Sequence, residues 1–259
     1  MTELYLRDDP RRAVPDPHPV VWMRPEHGRR GPRPTHTRAD LAAAAVRIAD
    51  ADGLDAVSMR RVADELGVGT TTLYRYVASK DDVLELMADE VVGELRSTTL
   101  RGNWRDDLAT VARALRDLVL RHPWVAAVAS SRTTLGPHHL WWSETSLSAL
   151  DELDLDPDEM LATLQTVSSF VLGHVLGELA DRSAAHRTGL SHDDWMARQG
   201  EYGDQIMADP RYPRLTRVMA EAAAPHAPDR ASRAFEAGLE RVLDGIGVHL
   251  PAGVRRPGT

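Results

Sequence analysis

From Thr37 onward apolar side chains recur at spacings of three and four, and no stretch shows strict apolar–polar alternation or an Asn-Gly hairpin turn. That periodicity directs the chain into amphipathic helices, and the fold class it predicts is all-α. The first helix, TRADLAAAAVRIADADG, opens with Thr37 and Asp40 in capping-box spacing and stops at Gly53. Leu41, Ala44, Ala45, Ile48 and Ala49 share one face. A second, SMRRVADEL, starts at Ser58 and ends at Gly67; a third begins among Thr70, Thr71 and Thr72. SKDDVLELMADEVVGEL follows, with Ser79 and Asp82 again in capping-box spacing.

Later helices are expected in NWRDDLATVARALRDLVLRHP, WVAAVASS, GPHHLWWSETSLSALDEL, PDEMLATLQTVSSFVLGHVLGELADR and DRASRAFEAGLERVLDGIG. Residues 182–229 read as a polar stretch with turns. Residues 1–36 hold seven prolines and no periodicity, which predicts a disordered or extended arm. The expected organisation is an arm (1–36), a helix-turn-helix domain (37–95) and a helical ligand-binding and dimerisation domain (96–259).

Residues 58–77 carry the chemistry. A short helix, a glycine turn and a second short helix form the helix-turn-helix outline. Ala63 lets the helices cross closely, and Leu73 and Val77 anchor the second one. Thr70, Thr71, Tyr74 and Arg75 are left facing out, a set of little use to a bundle but suited to a DNA groove. Hydroxyls and threonine methyls can meet phosphate or thymine, and arginine can reach guanine. The net charge of −8 argues against nucleic acid only if charge is evenly spread, and it is not. Residues 29–38, RRGPRPTHTR, contain Arg29, Arg30, Arg33 and Arg38 and no acid. That stretch reads either as a solvated tail or as an arm that lays arginine in an adjacent minor groove.

Residues 37–95 resemble the DNA-binding domain of the tetracycline-repressor (TetR) family of transcriptional regulators. Gly53, Ser58, Arg60, Ala63, Leu66, Gly67, Val68, Leu73, Tyr74, Tyr76, Lys80 and Leu84 all fall in that family's pattern, with Val77 in place of a commoner phenylalanine. The resemblance implies a double-stranded DNA operator as partner. It adds Ser58, Arg60, Thr72, Tyr76 and Lys80 to the DNA-binding set, with Tyr74 ranked above Tyr76. Lys80 is the chain's one lysine and stands in a helix first turn that suits Asp81 and Asp82 better than a cation. Either an external phosphate or plain solvation accounts for it.

Residues 100–259 resemble, more weakly, the tetracycline-repressor-like carboxy-terminal domain, which implies a homodimer and a small-molecule effector. Segments 158–181 and 229–247 are the expected dimer helices. Ser169, Gly173 and Gly177 recur at i, i+4 and i+8 on the first, and Phe235, Leu239 and Val242 form a stripe on the second. Trp124, Trp141, Trp142, Phe170, His174 and Glu178 are candidate effector contacts, with Met87 at the pocket floor.

No P-loop, dinucleotide fingerprint, zincin motif or nucleophile elbow is present, so no enzyme activity, cofactor or metal is expected. The His174–Glu178 pair alone is a weak metal signal. With no cysteine, no signal-like apolar start and no uncharged apolar span of about 18 residues, the expectation is a cytoplasmic regulator that engages no membrane. The alternative is a helical ligand-binding protein of the same fold that activates transcription or does not bind DNA.

Overall fold

The computed structural model describes residues 20–24, 36–129, 135–222 and 229–250. Every regular element among them is helical, as the periodicity predicts. The chain divides into two compact units, one ending at Glu90 and one beginning at Val91.

In the first unit α1 spans Arg38–Asp52, α2 Met59–Glu65, α3 Thr70–Leu73, and α4 Lys80–Val92, which runs across the division. The Thr37–Asp40 capping box is complete: the Thr37 hydroxyl accepts the Asp40 N–H, and the Asp40 carboxylate accepts the Thr37 N–H at 2.7 Å. That backbone bond, with help from the Thr37 hydroxyl, holds the Asp40 carboxyl below its usual range. The cap is therefore at full strength above the ordinary carboxylate range and is lost as pH falls through the lowered value. Gly53 ends α1 at φ +83°. Leu41, Ala45 and Ile48 of α1 are buried, as are Val62 and Ala63 of α2, Leu73 of α3, and Val83, Leu86 and Met87 of α4.

At the start of α4 the second expected capping box is only half formed. Ser79 Oγ accepts the Asp82 N–H at 3.2 Å. The Asp82 carboxylate turns instead to the Ala78 N–H (2.5 Å) and to Arg24 (2.6 Å). Residues 20–24, the described part of the expected arm, are ordered against this helix start. Residues Val21–Met23 form a single 3₁₀ turn, Val21 is fully buried, and Arg24 is pinned on Asp82. Arg38 donates to the carbonyl oxygens of Arg24 (3.0 Å) and Tyr76 (3.1 Å). One buried apolar residue and one ion pair therefore hold residues 20–24 in place, and periodicity has no means of showing that.

The second unit contains a 3₁₀ segment Gly93–Ser97, then α5 (Trp104–Arg121), α6 (Val125–Ala129), α7 (Pro137–Ser148), α8 (Pro157–Thr188) and α12 (Arg230–His249). Between α8 and α12 lie α9 (His192–Arg198), α10 (Gly200–Met207) and α11 (Pro213–Glu221), in the stretch expected to be turns. The Ser191–Asp194 capping box and Pro213 at a helix start are the signals that mark them. α5, α8 and α12 pack together. Leu108 and Leu118 of α5, Val167, Val171 and Val175 of α8, and Phe235, Leu239 and Leu243 of α12 are buried. Gly238 allows the closest approach in that core, because a Cβ there would stand 2.7 Å from the Phe170 ring. Ion pairs run beside the seam: Arg105 with Glu240 and Asp244, Arg113 with Glu236, and Arg116 with Glu178.

The Arg24–Asp82 pair is mostly shielded, at 17% and 12% side-chain exposure, so losing either partner leaves a poorly solvated charge. Arg24→Ala is expected to lower the stability of the amino-terminal unit by about 1–3 kcal/mol in chemical denaturation. Asp82→Asn should cost at least as much, because it also weakens the bond to Ala78.

Candidate nucleic-acid interface

The turn between α2 and α3 is built from backbone geometry. Leu66 N–H bonds the Val62 carbonyl, Gly67 N–H that of Asp64, and Val68 N–H that of Ala63 at 3.0 Å. Gly67 stands at φ +68°, a left-handed conformation that glycine adopts without strain. Ala63 is fully buried at the crossing, where its small side chain lets the two helices meet. α3 itself is one turn long, and Tyr74, Arg75 and Tyr76 continue it as turn. Leu73, Tyr76 and Val77 go inward.

What remains outside is a polar face. Tyr74 is 55% exposed, and Thr71 and Arg75 are exposed, while Thr70 and Thr72 are half-buried. Tyr76, by contrast, is 8% exposed. It is packed into the core instead of standing beside Tyr74, and its carbonyl takes the Arg38 bond. Lys80 is exposed in the first turn of α4. Among the described residues neither Arg75 nor Lys80 has an acidic partner. Of the two acids that follow Lys80, Asp82 is paired with Arg24, while Asp81 stays exposed beside the lysine. On α2, Arg60 is 88% exposed and only loosely paired with Asp64 at 3.8 Å. Ser58 caps α2, its Oγ accepting the Arg61 N–H at 3.2 Å, and the residue stays exposed. Arg47–Glu65 and Arg61–Asp52 occupy the remaining charges of α1 and α2 named here. The result is a surface of hydroxyls, one phenol and uncommitted cations, presented at a helix start on a buried apolar base. Such a surface can hold phosphates and read base edges. Arg38 of the basic stretch is spent on backbone carbonyls, and Arg29, Arg30 and Arg33 lie outside the described residues.

Among the described residues the candidate effector contacts have different surroundings. Met87 and Trp124 are buried, Trp124 edge-on to His122 at 6.0 Å. Trp141 lies beneath the Arg96 guanidinium. Phe170, His174 and Phe235 form a closed ring cluster at 5.4–6.0 Å, with His174 bonded to the Ala231 carbonyl. Glu178 is held by Arg116 and Arg182. Trp142 lines a cavity of about 230 Å³ between α5, α7 and α8, together with Leu115, Ser146, Leu161, Leu164 and Gln165. Ser146 is the residue that periodicity overlooked; it is buried, and its hydroxyl has no hydrogen-bond partner. A larger groove, about 440 Å³, lies between α8 and α12 and is lined by Ala162, Thr166, Arg241, Val242, Gly245 and Ile246.

The expected dimer stripe also divides. Phe235 and Leu239 are internal core, at 1% and 0% exposure, because α12 turns that stripe onto α8 and α5. Ser169, Gly173 and Gly177 are exposed on the opposite side of α8 from Val167, Val171 and Val175, and Val242 is half-buried. α8 is long and apolar enough to cross a membrane by length and composition alone, and little of it is buried.

Residues 41–87 match the family described as bacterial regulatory proteins, tetR family, and residues 98–250 match the tetracyclin repressor-like, C-terminal domain. The chain is 36% identical over 231 residues to the HTH-type transcriptional repressor DrrR1 of Streptomyces coeruleorubidus, covering 88% of this chain and 84% of that one. It is 39% identical over 187 residues to an HTH-type transcriptional regulator of Saccharopolyspora erythraea, covering 71% and 78%. The fold superposes on the Streptomyces coelicolor TetR family protein ActR in complex with actinorhodin with a TM-score of 0.68 at 27% identity, over 85% of this chain and 99% of ActR.

Substituting Gly67 tests the turn. A Cβ there meets nothing within 4 Å, so the cost of Gly67→Ala is backbone strain alone. The expected loss is about 1–2 kcal/mol in a thermal or denaturant melt; a neutral result would mean the turn relaxes to negative φ.

Proposed function

We propose that this chain, which belongs to the tetracycline-repressor family of DNA-binding transcriptional regulators, is a homodimeric repressor that a small apolar or amphipathic effector releases from its operator. The observation that carries the reading is the exposed face of α3, where Tyr74 and Arg75 stand out from a core built by Leu73, Tyr76 and Val77. Thr70, Thr71, Tyr74 and Arg75 meet base edges and the nearest phosphates; Ser58, Arg60, Thr72 and Lys80 hold the backbone that sets the register. Tyr76 supports that face from below. Arg29, Arg30 and Arg33 follow the anchored Val21–Arg24 segment and reach the adjacent minor groove. The named repressor among the relatives and the actinorhodin complex of ActR support the regulatory half of the reading.

In the second unit the dimer forms on the face of α8 that carries Ser169, Gly173 and Gly177, with Val242 beside it on α12. Small residues there let a partner helix approach closely, and the second copy covers an apolar surface that is otherwise open. Pairing sets two reading heads about 34 Å apart, one turn of DNA. An effector ends repression by binding better to a state whose spacing no longer fits; equal affinity for both states would shift nothing.

Anisotropy titration of labelled DNA from upstream of the chain's own gene, at several salt concentrations, tests the reading. Tyr74→Ala and Arg75→Ala are expected to lose about 1–3 kcal/mol of operator affinity each and to relax discrimination. Lys80→Ala should weaken all duplexes alike and reduce the salt slope by about 1. Equal loss of discrimination from Lys80→Ala would contradict its assignment to phosphate. Gly173→Leu tests the dimer face. Within the protomer a Cβ at Gly173 touches nothing, so the fold should be unchanged while sedimentation shows a shift to monomer.

A further inference from the structure

The connection from α3 into α4 is closed by side chains. Val77 N–H bonds the Leu73 carbonyl at 3.1 Å, and beyond it the chain turns into α4. Two backbone groups at that turn are taken by side chains. The Tyr76 carbonyl accepts Arg38 Nε at 3.1 Å, and the Ala78 N–H donates to the Asp82 carboxylate at 2.5 Å. Arg24 joins the two. Its guanidinium donates to both Asp82 oxygens, at 2.6 and 3.4 Å, and its carbonyl accepts Arg38 Nη1 at 3.0 Å. The bonds form a circuit around residues 76–82, and its link is a residue 58 positions before Asp82. Val21, fully buried within the 3₁₀ turn that precedes Arg24, holds the Arg24 backbone in place. Lys80 and Asp82 share the first turn of α4, and two residues correspond to about 200° around a helix axis. Asp82 is buried on Arg24, so Lys80 points away from it and is exposed. Fixing Asp82 therefore fixes the direction in which Lys80 leaves the helix. Arg24 itself is mostly shielded and its charge is matched by Asp82, which leaves it poorly placed to meet a phosphate.

We propose that Arg24 is a positioning residue for DNA binding: through Asp82 it fixes the first turn of α4 and so holds Lys80 toward the phosphate backbone. This rests on the DNA-binding reading and adds a residue that acts on it without touching DNA. Replacing the guanidinium does two things. It frees the turn that carries Lys80, and it leaves Asp82 as an uncompensated carboxylate two residues from the lysine. Position and charge can be told apart, because a second substitution at Asp82 removes the charge without restoring the hold.

The labelled duplex from upstream of the chain's own gene serves as the probe, titrated at several salt concentrations. Arg24→Ala is expected to raise Kd about fivefold and to lower the salt slope by about 1, as Lys80→Ala does. Arg24→Ala/Lys80→Ala should bind within about twofold of the weaker single variant, because the same phosphate contact is lost only once. Arg24→Ala/Asp82→Asn should stay as weak as Arg24→Ala; recovery to the wild-type Kd would show that charge alone is at work and would overturn the proposal. Additive losses from Arg24→Ala and Lys80→Ala overturn it too, since Arg24 would then be a phosphate contact in its own right. Should the melting curve show Arg24→Ala unfolded, Arg24→Met keeps the bulk, removes the donors and takes its place. Backbone order is read without DNA. In the folded variant the amide order parameters of Ala78, Ser79 and Lys80 should fall from about 0.85 toward about 0.6, while those of α1 stay unchanged. A loss of stability alone does not move the order of the folded state, so unmoved values at 78–80 contradict the proposal. A wild-type chain that binds no duplex sinks the repressor reading, while the hold of Arg24 on the turn is still decided by the order parameters.

Discussion

A helix of one turn cannot hold itself together, and α3, which presents the proposed reading face, is four residues long. Its order comes from its surroundings. Leu73, Tyr76 and Val77 are buried beneath it, Gly67 turns the chain into it, and the end of the segment is fixed by backbone bonds from outside. Arg38 holds the Tyr76 carbonyl, and Asp82 holds the Ala78 N–H while Arg24 holds Asp82. Because every contact that orders α3 lies on one side, its other side is free to carry tyrosine, threonine and arginine. Burial below and polarity above are one arrangement.

The same division of faces recurs in the carboxy-terminal unit. α8 spends Val167, Val171 and Val175 on its own chain and leaves Ser169, Gly173 and Gly177 open. α12 commits Phe235, Leu239 and Leu243 inward, where Gly238 admits the Phe170 ring. Arginines of α5 then pair with acids of α8 and α12 along the rim. Hydrogen bonding to Arg113 holds the Glu236 carboxyl below its usual range, so that pair keeps its charge well into mild acid. The three-helix core is thus closed by apolar contacts and charge, while the outer face of α8 is left with small side chains at Ser169, Gly173 and Gly177. A surface of that kind suits association, which the proposed dimer would use.

Local signals were legible in the chain and long-range ones were not. Thr37 with Asp40, Gly53 and Gly67 each declare a helix boundary through nearby backbone geometry, and each sits where the pattern puts it. Asp82 has the right spacing for a capping box, yet it serves Arg24, 58 residues away, a pairing that no local rule contains. Tyr74 and Tyr76 are both aromatics flanking an arginine; only the turn after Leu73 decides that one faces out and the other in. The stripe of Phe235 and Leu239 is correctly apolar, but a stripe does not name what covers it, and the cover is internal. Helices α10 and α11 bury no large side chain, yet their apolar residues are periodic, most of all in α11; their shortness and the turn residues between them hid that pattern. Ser146 escapes notice because a lone serine in a helix becomes informative only once its neighbours are seen to offer it no partner.

Footprinting of the intact protein on DNA fragments that it selects from its own genome tests the central claim most directly. The account predicts two protected half-sites whose centres lie one helical turn apart, with protection lost from both when Tyr74 and Arg75 are replaced by alanine. Protection no stronger than on random duplex, or a pattern indifferent to those two residues, would contradict it.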